Sequence, residues 1–490
     1  MDKVELTPSQ KKALETLESG RNTFLTGEAG TGKSFLLRHF VTKAKVTKTV
    51  ILSAPTGIAS LNIQGVTLHR LFGLGTDVLS LAQAPTLTQT AETLKNADIL
   101  VIDEISMCRL DVFEKVMKTL KLANPKIQVV LVGDFLQLPP VLTKDEAEVY
   151  EEHHGSRIYA FESPLWSEFS FVTKQLTEVV RQKDPTFIEN LNLARRGNAD
   201  CISYFNSLGT EKPKEAIAIC SRNKKASQIN SRKLEKIDEE AFFYRSEMEI
   251  LQAGFKFTNS EKPMDDLITL KKGARVLLCV NIADKELYNG QMGTVISLDE
   301  DGAQVAFDDG REAHVGKYTW SINAYETTVD KKTKKKKTSL ISVATFTQIP
   351  LKLGFAITIH KSQGQTYQQA VVYPSCWERG QLYVALSRVS NATGLHLASE
   401  IKDNYLVADQ KVLDFYNRKD EDEKDSFVTK QAPTPAKTGR KRKFAGLDTR
   451  TVRLPVAYID FVTKLCNCLS VEDYEEARLL LTEFKNQGEN

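Results

Sequence analysis

The sequence has no apolar run long enough to cross a membrane and almost no excess of either sign of charge. No stretch approaches the roughly eighteen consecutive apolar residues of a membrane-spanning helix, and the opening MDKVELTPSQKK contains no apolar signal core. We therefore expect a soluble intracellular protein, in the cytoplasm and nucleoid or in the nucleus according to its source. Lys and Arg (66) barely exceed Asp and Glu (63), so a nucleic-acid partner would need a localised basic groove.

Cysteine is scarce, with seven in 490 residues, and the number is odd. Most of these cysteines lie in apolar runs, which is typical of reduced, buried thiols in an intracellular chain. Cys466 and Cys468 form a C-x-C pair with no second ligand pair nearby. The sequence therefore favours neither a disulfide framework nor a structural zinc site.

The sequence does contain a series of short, continuous apolar runs separated by helical stretches. A chain of 490 residues is too long for one ordinary core, so we expect two or three domains. Apolar runs without polar alternation indicate strands buried on both faces of a parallel sheet. These runs are Thr23–Thr26, Val50–Ala54, Ile99–Ile102, Val129–Val132, Ile217–Cys220 and Ala370–Tyr373. Their alternation with helices predicts an α/β fold with parallel sheets.

The pattern changes in the second half of the chain. From Ala274 to about Thr347, short strand-like segments are separated by the hairpin-turn pairs Asp301-Gly302 and Asp309-Gly310. This predicts a small β-barrel inserted into the second α/β domain. The expected divisions are a first α/β domain (1–175), a second (176–272 and 348–417), the inserted barrel (273–347), a polar linker (418–450) and C-terminal helices (451–490).

A glycine-rich loop, GEAGTGKS at residues 27–34, lies between an apolar strand (NTFLT) and a helix (SFLLRHF). Its glycines allow backbone N–H groups to surround phosphates at a helix N-terminus, where the helix dipole also favours anions. In such a loop the lysine reaches the β- and γ-phosphates and the serine hydroxyl ligates Mg²⁺. The candidate nucleotide-binding residues are Gly27, Gly30, Gly32, Lys33 and Ser34. A glycine-rich turn without a ligand is the alternative, but the flanking strand and helix favour a nucleotide site.

The apolar run Ile99–Ile102 ends in two carboxylates, Asp103 and Glu104. In phosphate-loop enzymes the first carboxylate of such a pair helps to hold Mg²⁺, and the next can accept a proton from the attacking water. Either acid alone would be an ordinary solvated strand end. After a phosphate loop the pair predicts an NTPase that uses Mg²⁺, with Ser34 and Asp103 as metal ligands.

Kinases, GTPases and helicases share these parts, so the other motifs must distinguish them. The chain contains APTGIA at 54–59, VTLH at 66–69, DEISM at 103–107, GDFLQLPP at 133–140, IHKSQGQ at 359–365 and YVALSRV at 383–389. In this order they resemble the motifs of superfamily-one helicases, and most closely those of the Pif family, in the group that also contains RecD and Dda. The resemblance covers roughly residues 5–400.

This resemblance implies an ATP-dependent DNA helicase that moves 5′-to-3′ on single-stranded DNA and unwinds duplex or forked DNA. Both α/β domains are then expected to be RecA-like and the inserted barrel SH3-like. The C-terminal helical extension lies outside the resemblance and is predicted from the apolar spacing of the last forty residues. The helicase is expected to work as a monomer. The C-terminal helices are candidates for docking on the rest of the chain or on a protein partner.

The resemblance also assigns roles around the nucleotide. Gln10 matches the family's adenine-reading element, although Thr7-Pro8-Ser9-Gln10 also has the pattern of a helix start. Gln137 matches the residue that senses the γ-phosphate, and Arg181 and Arg388 match arginines that stabilise charge on the transferred phosphate. The expected catalytic set is Lys33, Asp103, Glu104, Gln137, Arg181 and Arg388.

A further set of matches implies contacts to single-stranded DNA, mostly through phosphate and sugar and therefore tolerant of sequence. The residues are Thr56, Gly57, Thr67, His69, His360, Ser362, Gln363 and Gly364. From the residues alone, a structural role would be the better interpretation of each histidine.

Several segments have more than one interpretation. Residues from about 70 to 97 match an insertion that acts as a wedge at the duplex fork, and an ordinary surface loop is the alternative. The lysine run within 331–337 is either a phosphate-contacting hairpin or a solvated hairpin tip. Arg440–Lys443 is a nuclear-import signal, a nucleic-acid contact or a charged linker.

Two other functions stay open on the sequence. An RNA helicase or RNA-dependent NTPase would use similar phosphate contacts, which do not distinguish the sugar. A nucleic-acid clamp that uses ATP only as a switch would not need the hydrolytic set of Glu104, Gln137, Arg181 and Arg388. The segment between DEISM and GDFLQLPP lacks the Pro-Phe-Gly-Gly element of many relatives, so specialised substrates such as G-quadruplexes are not implied.

Overall fold

The computed structural model describes residues 5–75, 89–142, 144–210, 212–213, 216–255, 257, 262–329 and 336–418. Part of the predicted wedge-like segment, most of the lysine run, the basic segment 440–443, and the segments predicted as a linker beyond 418 and as C-terminal helices therefore lie outside the described residues. Within the described ranges no helix is both long and apolar enough to span a membrane. The five cysteines in these ranges are free thiols and four of them are buried, as expected for reduced cysteines.

The first half of the chain forms a six-stranded sheet. Its strands are β1 (Thr23–Gly27), β2 (Val50–Ala54), β3 (Val66–Thr67), β4 (Ile99–Ile102), β5 (Gln128–Val132) and β6 (Val172–Leu176). Their order is β3-β2-β4-β5-β1-β6, and every pairing is parallel. β1, β2, β4 and β5 are buried along their whole length, as expected of strands covered on both faces. The predicted α/β architecture with a parallel sheet is confirmed.

Helices connect these strands. They are α1 (Pro8–Glu18), α2 (Lys33–Ala44), α3 (Gly57–Asn62), α4 (Leu68–Phe72), α5 (Gln89–Lys95), α6 (Leu110–Ala123), α7 (Lys144–His154) and α8 (Pro164–Glu168). Phe24 on β1 packs in one core with Phe113 of α6 and Trp166 of α8, whereas the next residue, Leu25, packs in a second core with Leu36 of α2. Alternate side chains of a strand face opposite ways, so helices cover both faces and functional loops emerge at the carboxyl-terminal edge.

The second half contains a parallel sheet interrupted by antiparallel strands. Its strands are β7 (Ile217–Cys220), β8 (Ala241–Arg245), β9 (Glu247–Ile250), β10 (Leu267–Lys271), β11 (Arg275–Leu278), β12 (Met292–Leu298), β13 (Gly302–Phe307), β14 (Glu312–Gly316), β15 (Tyr318–Val329), β16 (Lys336–Gln348), β17 (Leu351–Leu353), β18 (Ala356–Thr358), β19 (Ala370–Val372) and β20 (Leu395–Leu397). The order β18-β7-β19-β20 is parallel throughout. The helices of this half are α9 (Pro185–Arg195), α10 (Cys201–Ser207), α11 (Asn223–Glu235), α12 (Ile359–Ser362) and α13 (Gln381–Leu386).

The antiparallel strands between β7 and β18 form three small sheets, ordered β14-β13-β12-β11-β17, β15-β16-β9 and β10-β8. The first of these strands begins at Ala241, well before the change of pattern in the sequence. Trp320 and Phe346 lie in the core that the strands share. The long β15–β16 hairpin reaches the first sheet, where the Tyr325 hydroxyl accepts a hydrogen bond from the Leu52 N–H at 3.0 Å.

A last helix, α14 (410–418), follows the second sheet and packs against the first. Val412 and Tyr416 belong to the same buried cluster as Phe24. The Tyr416 hydroxyl lies 2.9 Å from Thr26 Oγ1 and accepts a hydrogen bond from the Phe135 N–H at 3.2 Å. The chain therefore returns to its first half and ties β1 and the loop after β5 to α14.

Tyr416→Phe should lower the free energy of unfolding by about 1–3 kcal/mol, because it removes the hydroxyl that pairs with buried polar groups of Thr26 and Phe135. The measurement is the urea midpoint followed by circular dichroism. Tyr288→Phe is the matched control, since Tyr288 is 57% exposed, and should leave the midpoint unchanged. Equal midpoints for the two variants would contradict the prediction.

Candidate functional site

The phosphate loop leaves β1 and enters α2 at the carboxyl-terminal edge of the first sheet. Gly32, just before α2, has a φ of +84°, and a Cβ there would lie 2.6 Å from Gln10 Nε2. Gly30 has a φ of +86°, and its Cβ would lie 2.7 Å from the Arg181 Cβ. Glycine is therefore required at both positions, by backbone conformation and by close approach.

Lys33 folds back over this loop. Its amine donates hydrogen bonds to the carbonyl oxygens of Gly27 and Glu28 at 2.7 and 3.0 Å. Burial lowers the pKa of Lys33, although Asp134 and Glu104 act in the opposite direction. The amine thus lies against the loop whose backbone is built to hold phosphate.

Gln10 serves both the first helix and the phosphate loop. Its Oε1 accepts a hydrogen bond from the Thr7 N–H at 3.1 Å, half of a capping box that starts α1. Its Nε2 donates to the Thr31 carbonyl at 3.0 Å, and the residue is 3% exposed. Gln10 is therefore a helix-start residue, as its pattern indicates, and also touches the nucleotide loop.

Asp103 and Glu104 follow β4, and Ser34 is the second residue of α2. Glu104 has a φ of +52°, an uncommon conformation for a residue with a side chain that clusters at functional sites. Burial, helped by the neighbouring Asp103, raises the pKa of Glu104 to about 7, and burial raises the pKa of Asp103 to about 6. Gln363 Nε2 donates to Glu104 Oε2 at 3.0 Å. Glu104 is thus a carboxyl group with a pKa suited to accepting a proton near neutral pH.

The two candidate arginines lie beside these groups. Arg388 is 2% exposed and donates to neutral oxygens, including Val384 O and Ser387 Oγ, both at 2.7 Å. Burial, helped by the like charge of Arg181, lowers the pKa of Arg388 to about 9. Arg181 donates from Nη1 to Ser387 O at 3.3 Å and from its backbone N–H to Gly30 O at 3.2 Å. A buried guanidinium bonded to neutral oxygens has electrostatic capacity for an anionic ligand.

An ion pair that the sequence analysis did not single out lies close by. Asp134, after β5, accepts hydrogen bonds from Arg195 Nε and Nη2 at 3.1 and 2.8 Å, and both side chains are buried. Burial acts to raise the pKa of Asp134, but Arg195 holds it below its usual range. The same carboxylate accepts from Gln137 Nε2 at 3.3 Å and from the Tyr416 hydroxyl at 3.4 Å. Gln137 is therefore held by a pair whose cation comes from α9.

Tyr383 and Gly380 are two further residues that the sequence analysis missed. The Tyr383 hydroxyl accepts a hydrogen bond from the Ala29 N–H of the phosphate loop at 2.8 Å. A Cβ on Gly380 would lie 2.1 Å from the Gln137 carbonyl oxygen. Tyr383 lies within the matched motif YVALSRV, from which only Arg388 was chosen, whereas Gly380 lies three residues before it.

The candidate DNA contacts of the first half lie just beyond strands β2 and β3. Thr56 and Thr67 precede α3 and α4, and each hydroxyl accepts a hydrogen bond from a backbone N–H of the following turn, at 3.3 and 3.2 Å. Gly57 opens α3 and His69 lies on α4. Burial lowers the pKa of His69. All four residues therefore share the edge from which the phosphate loop emerges.

The candidate contacts of the second half divide into two groups. His360 is half-buried on α12 and Gly364 is exposed, with a φ of +76°. Ser362 is fully buried and its hydroxyl donates to a carbonyl of the same helix at 2.7 Å, and Gln363 donates to Glu104. His360 and Gly364 are thus accessible to a ligand, whereas the side chain of Ser362 points into the protein and the half-buried side chain of Gln363 is bonded to Glu104.

A cavity of about 550 Å³ lies between α3, α11 and the antiparallel strands. Its lining includes Ile58, which follows Gly57, and Lys361, which follows His360. Asn223 of α11 lines the same cavity. The cavity therefore adjoins candidate DNA contacts from both halves of the chain.

Positive charge is concentrated on and just before α11. Residues 222–235 contain five cations and one acid, a local net charge of +4 (5 − 1): Arg222, Lys224, Lys225, Arg232 and Lys233 against Glu235. This is the localised basic surface that the net charge of the chain could not reveal. A count of charge in short windows would have found it.

Together, the fold and the site define a phosphate-loop NTPase whose nucleotide loop meets residues of a second parallel sheet. Residues 5–206 match the family model of the PIF1-like helicase. The chain belongs to the Pif1-like helicase family, because it also aligns with named members over most of its length. The resemblance carried by the motifs is confirmed.

Relatives and solved structures agree on this family. The ATP-dependent DNA helicase Pif1 of Campylobacter jejuni is 32% identical, over 83% of this chain and 96% of that protein. The human ATP-dependent DNA helicase PIF1 is 31% identical, over 84% of this chain and 64% of that protein. The crystal structure of Bacteroides sp Pif1 with ADP-AlF4 has a TM-score of 0.75 at 31% identity, covering 86% of this chain and 98% of its own. Pif1 helicase from Candida albicans has a TM-score of 0.64 at 29% identity, covering 85% and 99%.

Proposed function

We propose that this helicase hydrolyses ATP and uses the free energy to move 5′-to-3′ along single-stranded DNA and to separate duplexes. The observation that carries the proposal is the hydrogen bond from Gln363, after β18, to Glu104, after β4. It joins the candidate base for hydrolysis to the segment that contains His360, a candidate DNA contact. A change at the nucleotide can therefore move a DNA contact on the second sheet.

DNA as the partner is supported by the relatives. Several are named ATP-dependent DNA helicases. Bacteroides Pif1 has been solved bound to single-stranded DNA, and another similar structure concerns the unwinding of forked duplex DNA by two coordinating Pif1 helicases. The 5′-to-3′ direction rests on the family resemblance. The proposed working form is a monomer.

The proposed reaction gives each residue of the nucleotide site one role. Lys33 binds the β- and γ-phosphates, and Glu104 accepts the proton of the attacking water. Arg181 and Arg388 offset charge that develops on the transferred phosphate, where a buried cation acts most strongly. Gln10 recognises adenine in this proposal, a role that rests on the family resemblance.

Ser34 and Asp103 are the residues that would hold Mg²⁺. A hydroxyl and a carboxylate are hard oxygen donors, and Mg²⁺ commonly takes one or two protein oxygens and completes its coordination with phosphate oxygens and water. The Asp103 carboxylate is 8% exposed, and burial is the main cause of its raised pKa. A buried negative charge is unfavourable, and a bound cation would stabilise it. The ion supplies charge neutralisation at the phosphates when bound.

Asp134 and Arg195 act as positioning residues in this proposal. Their bidentate pair holds Gln137, which senses the γ-phosphate, and the Arg195 end belongs to α9 rather than to the first sheet. Tyr416 brings α14 to the same carboxylate. Binding of ATP at the phosphate loop and movement of α9 are thereby coupled through one buried ion pair.

The DNA path in this proposal runs along the carboxyl-terminal edges of both sheets. Thr56, Gly57, Thr67 and His69 contact the strand on the first half, and His360 and Gly364 contact it on the second. The cavity and the basic helix α11 lie beside these residues, and the positive charge of the helix complements the negative charge of a DNA backbone. Ser362 and Gln363 support this surface from within.

The domain divisions follow the same proposal. Residues 1–175 form one RecA-like domain, with a wedge at about 70–97, and residues 176–272 with 348–417 form the other. The SH3-like barrel occupies 273–347, a division supported by the antiparallel neighbours β11, β12, β13 and β14 in that region. Beyond the linker 418–450, the C-terminal helices 451–490 are the proposed docking element for a protein partner.

Strand displacement with ATP and Mg²⁺ on matched duplexes with a 5′ or a 3′ tail tests the function. We expect separation of only the 5′-tailed duplex, and its complete loss in Lys33→Ala, because the loop then lacks its phosphate-binding amine. Separation of only the 3′-tailed duplex would keep the helicase and overturn the direction. A matched RNA strand that stimulates ATP turnover better than DNA would overturn the choice of DNA.

A further inference from the structure

Trp377 is the exposed tryptophan of this chain. Trp166 and Trp320 are 6% and 8% exposed and lie in hydrophobic cores, whereas Trp377 is 48% exposed. It lies five residues beyond the end of β19, at the carboxyl-terminal edge of the second sheet. A large indole left half in water at the functional edge of a sheet is a candidate contact surface.

An arginine is stacked on this indole. The guanidinium carbon of Arg222 lies 4.5 Å from the centre of the Trp377 ring. Arg222 immediately precedes α11, whose residues 222–235 carry the local charge of +4. A second pair repeats the arrangement next to it, with Lys225 Nζ 5.3 Å from the centre of the Tyr373 ring.

The topology of the sheet places these pairs together. β7 and β19 are parallel neighbours, and the Tyr373 N–H donates to the Ile219 carbonyl, so the segments that follow both strands emerge side by side. Arg222 adjoins Asn223, which lines the 550 Å³ cavity. Arg222 of the stacked pair is therefore the chain neighbour of a residue that lines the cavity assigned to DNA.

We propose that Trp377 and Arg222 form a stacking platform for an unpaired base of single-stranded DNA. The inference rests on the proposed DNA path and adds to it a contact with a base, whereas the other proposed contacts are to phosphate and sugar. An unpaired base offers an aromatic face to any planar side chain, so the contact is tolerant of sequence. A paired base in a duplex keeps its faces stacked on its neighbours. The platform therefore selects the separated strand.

The chemistry of the surroundings favours a nucleic acid over an apolar partner. A base stacks on the indole while the adjacent phosphates meet Arg222, Lys224 and Lys225. One acid, Glu378, follows Trp377 directly in the chain and interacts with His360. Burial lowers the pKa of His360, and Glu378 acts in the opposite direction. The five cations of segment 222–235 outnumber it.

Intrinsic tryptophan fluorescence tests the platform directly, because two of the three tryptophans are buried. Titration of the full chain with oligo-dT, without nucleotide, should quench fluorescence, and Trp377→Phe should remove most of the quenching. An oligonucleotide with abasic sugars should bind through its phosphates but quench little. Unchanged quenching in Trp377→Phe, or equal quenching by the abasic strand, would overturn the platform.

Binding affinity gives a second, independent readout by anisotropy of a dye-labelled oligo-dT. Trp377→Ala should weaken binding by about tenfold and Trp377→Phe by much less, since phenylalanine keeps an aromatic face. Leu122→Ala, at a 61% exposed position on α6, is the matched control and should leave affinity unchanged. If Trp377→Ala binds as tightly as the unsubstituted chain, the platform is wrong while the proposed function stands. If the unsubstituted chain binds no oligo-dT, the DNA path falls together with the platform.

Discussion

Glu104→Gln should bind ATP and single-stranded DNA normally and yet hydrolyse ATP about 10²- to 10⁴-fold more slowly, the usual contribution of a positioned general base. The amide retains the size of the side chain but cannot accept the proton of the attacking water. Burial has already raised the pKa of Glu104 to about 7, so the carboxylate is a much stronger base than an exposed glutamate. The measurement is DNA-stimulated ATP turnover, with nucleotide affinity measured separately.

Glu28→Gln provides the control for this variant. It makes the same chemical change within the phosphate loop, where Glu28 contributes its backbone carbonyl to Lys33, and should leave turnover within about twofold, the scale of a surface substitution. A Glu104→Gln protein that turns over ATP at the unsubstituted rate would remove Glu104 as the base. Loss of nucleotide binding in the same protein would instead assign it a structural role.

Arg195→Met should destabilise the fold by about 3–5 kcal/mol and also depress DNA-stimulated ATP turnover. The stability effect arises because Asp134 is left buried without its cation. The effect on turnover arises because the same carboxylate holds Gln137 at 3.3 Å. The two effects have different causes and can be separated by a second substitution.

The double variant Asp134→Leu/Arg195→Met removes both charges and should regain much of the lost stability, since a buried ion pair and a well-packed apolar pair are often equivalent. Turnover should stay low, because Gln137 still lacks its anchor. In a Gln137→Ala background, Arg195→Met should add little further loss of turnover, the expected result when two residues act through one another. A double variant that recovers turnover with stability, or independent effects in the Gln137→Ala background, would contradict the positioning role.

Much of the nucleotide site could be predicted because it is local in sequence. The phosphate loop, its flanking strand and helix, and the carboxylates after β4 lie in short segments whose spacing alone defines the geometry. The parallel strands could be predicted equally well, since a run such as Ile99–Ile102 is apolar throughout in the sequence and buried throughout in the structure. Glu104 and Lys33 were therefore named from the sequence and lie near one another in the structure.

The positioning network could not be predicted in this way. Asp134 and Arg195 are 61 positions apart in the chain, and Asp134 and Tyr416 are 282 apart. An arginine in LARRGN has the sequence character of a surface residue until folding buries it against a carboxylate. Ser362 and Gln363 are a related case, since the motif indicates DNA contacts, while the hydrogen bonds of their side chains, to Ile359 O and to Glu104, appear only in the folded structure.

The sequence by itself determined the class of enzyme, through the resemblance of its ordered motifs to a known family. It also determined the parallel α/β fold and the residues of the phosphate loop, because these depend on short-range spacing and on local hydrophobicity. Only the tertiary structure decided which groups distant in the chain meet: Gln363 with Glu104 and Arg195 with Asp134 across the two halves, and Arg222 with Trp377 within the second. Such contacts depend on how the two parallel sheets and α14 pack together. That packing is set by buried surface summed over many residues, which no single motif records.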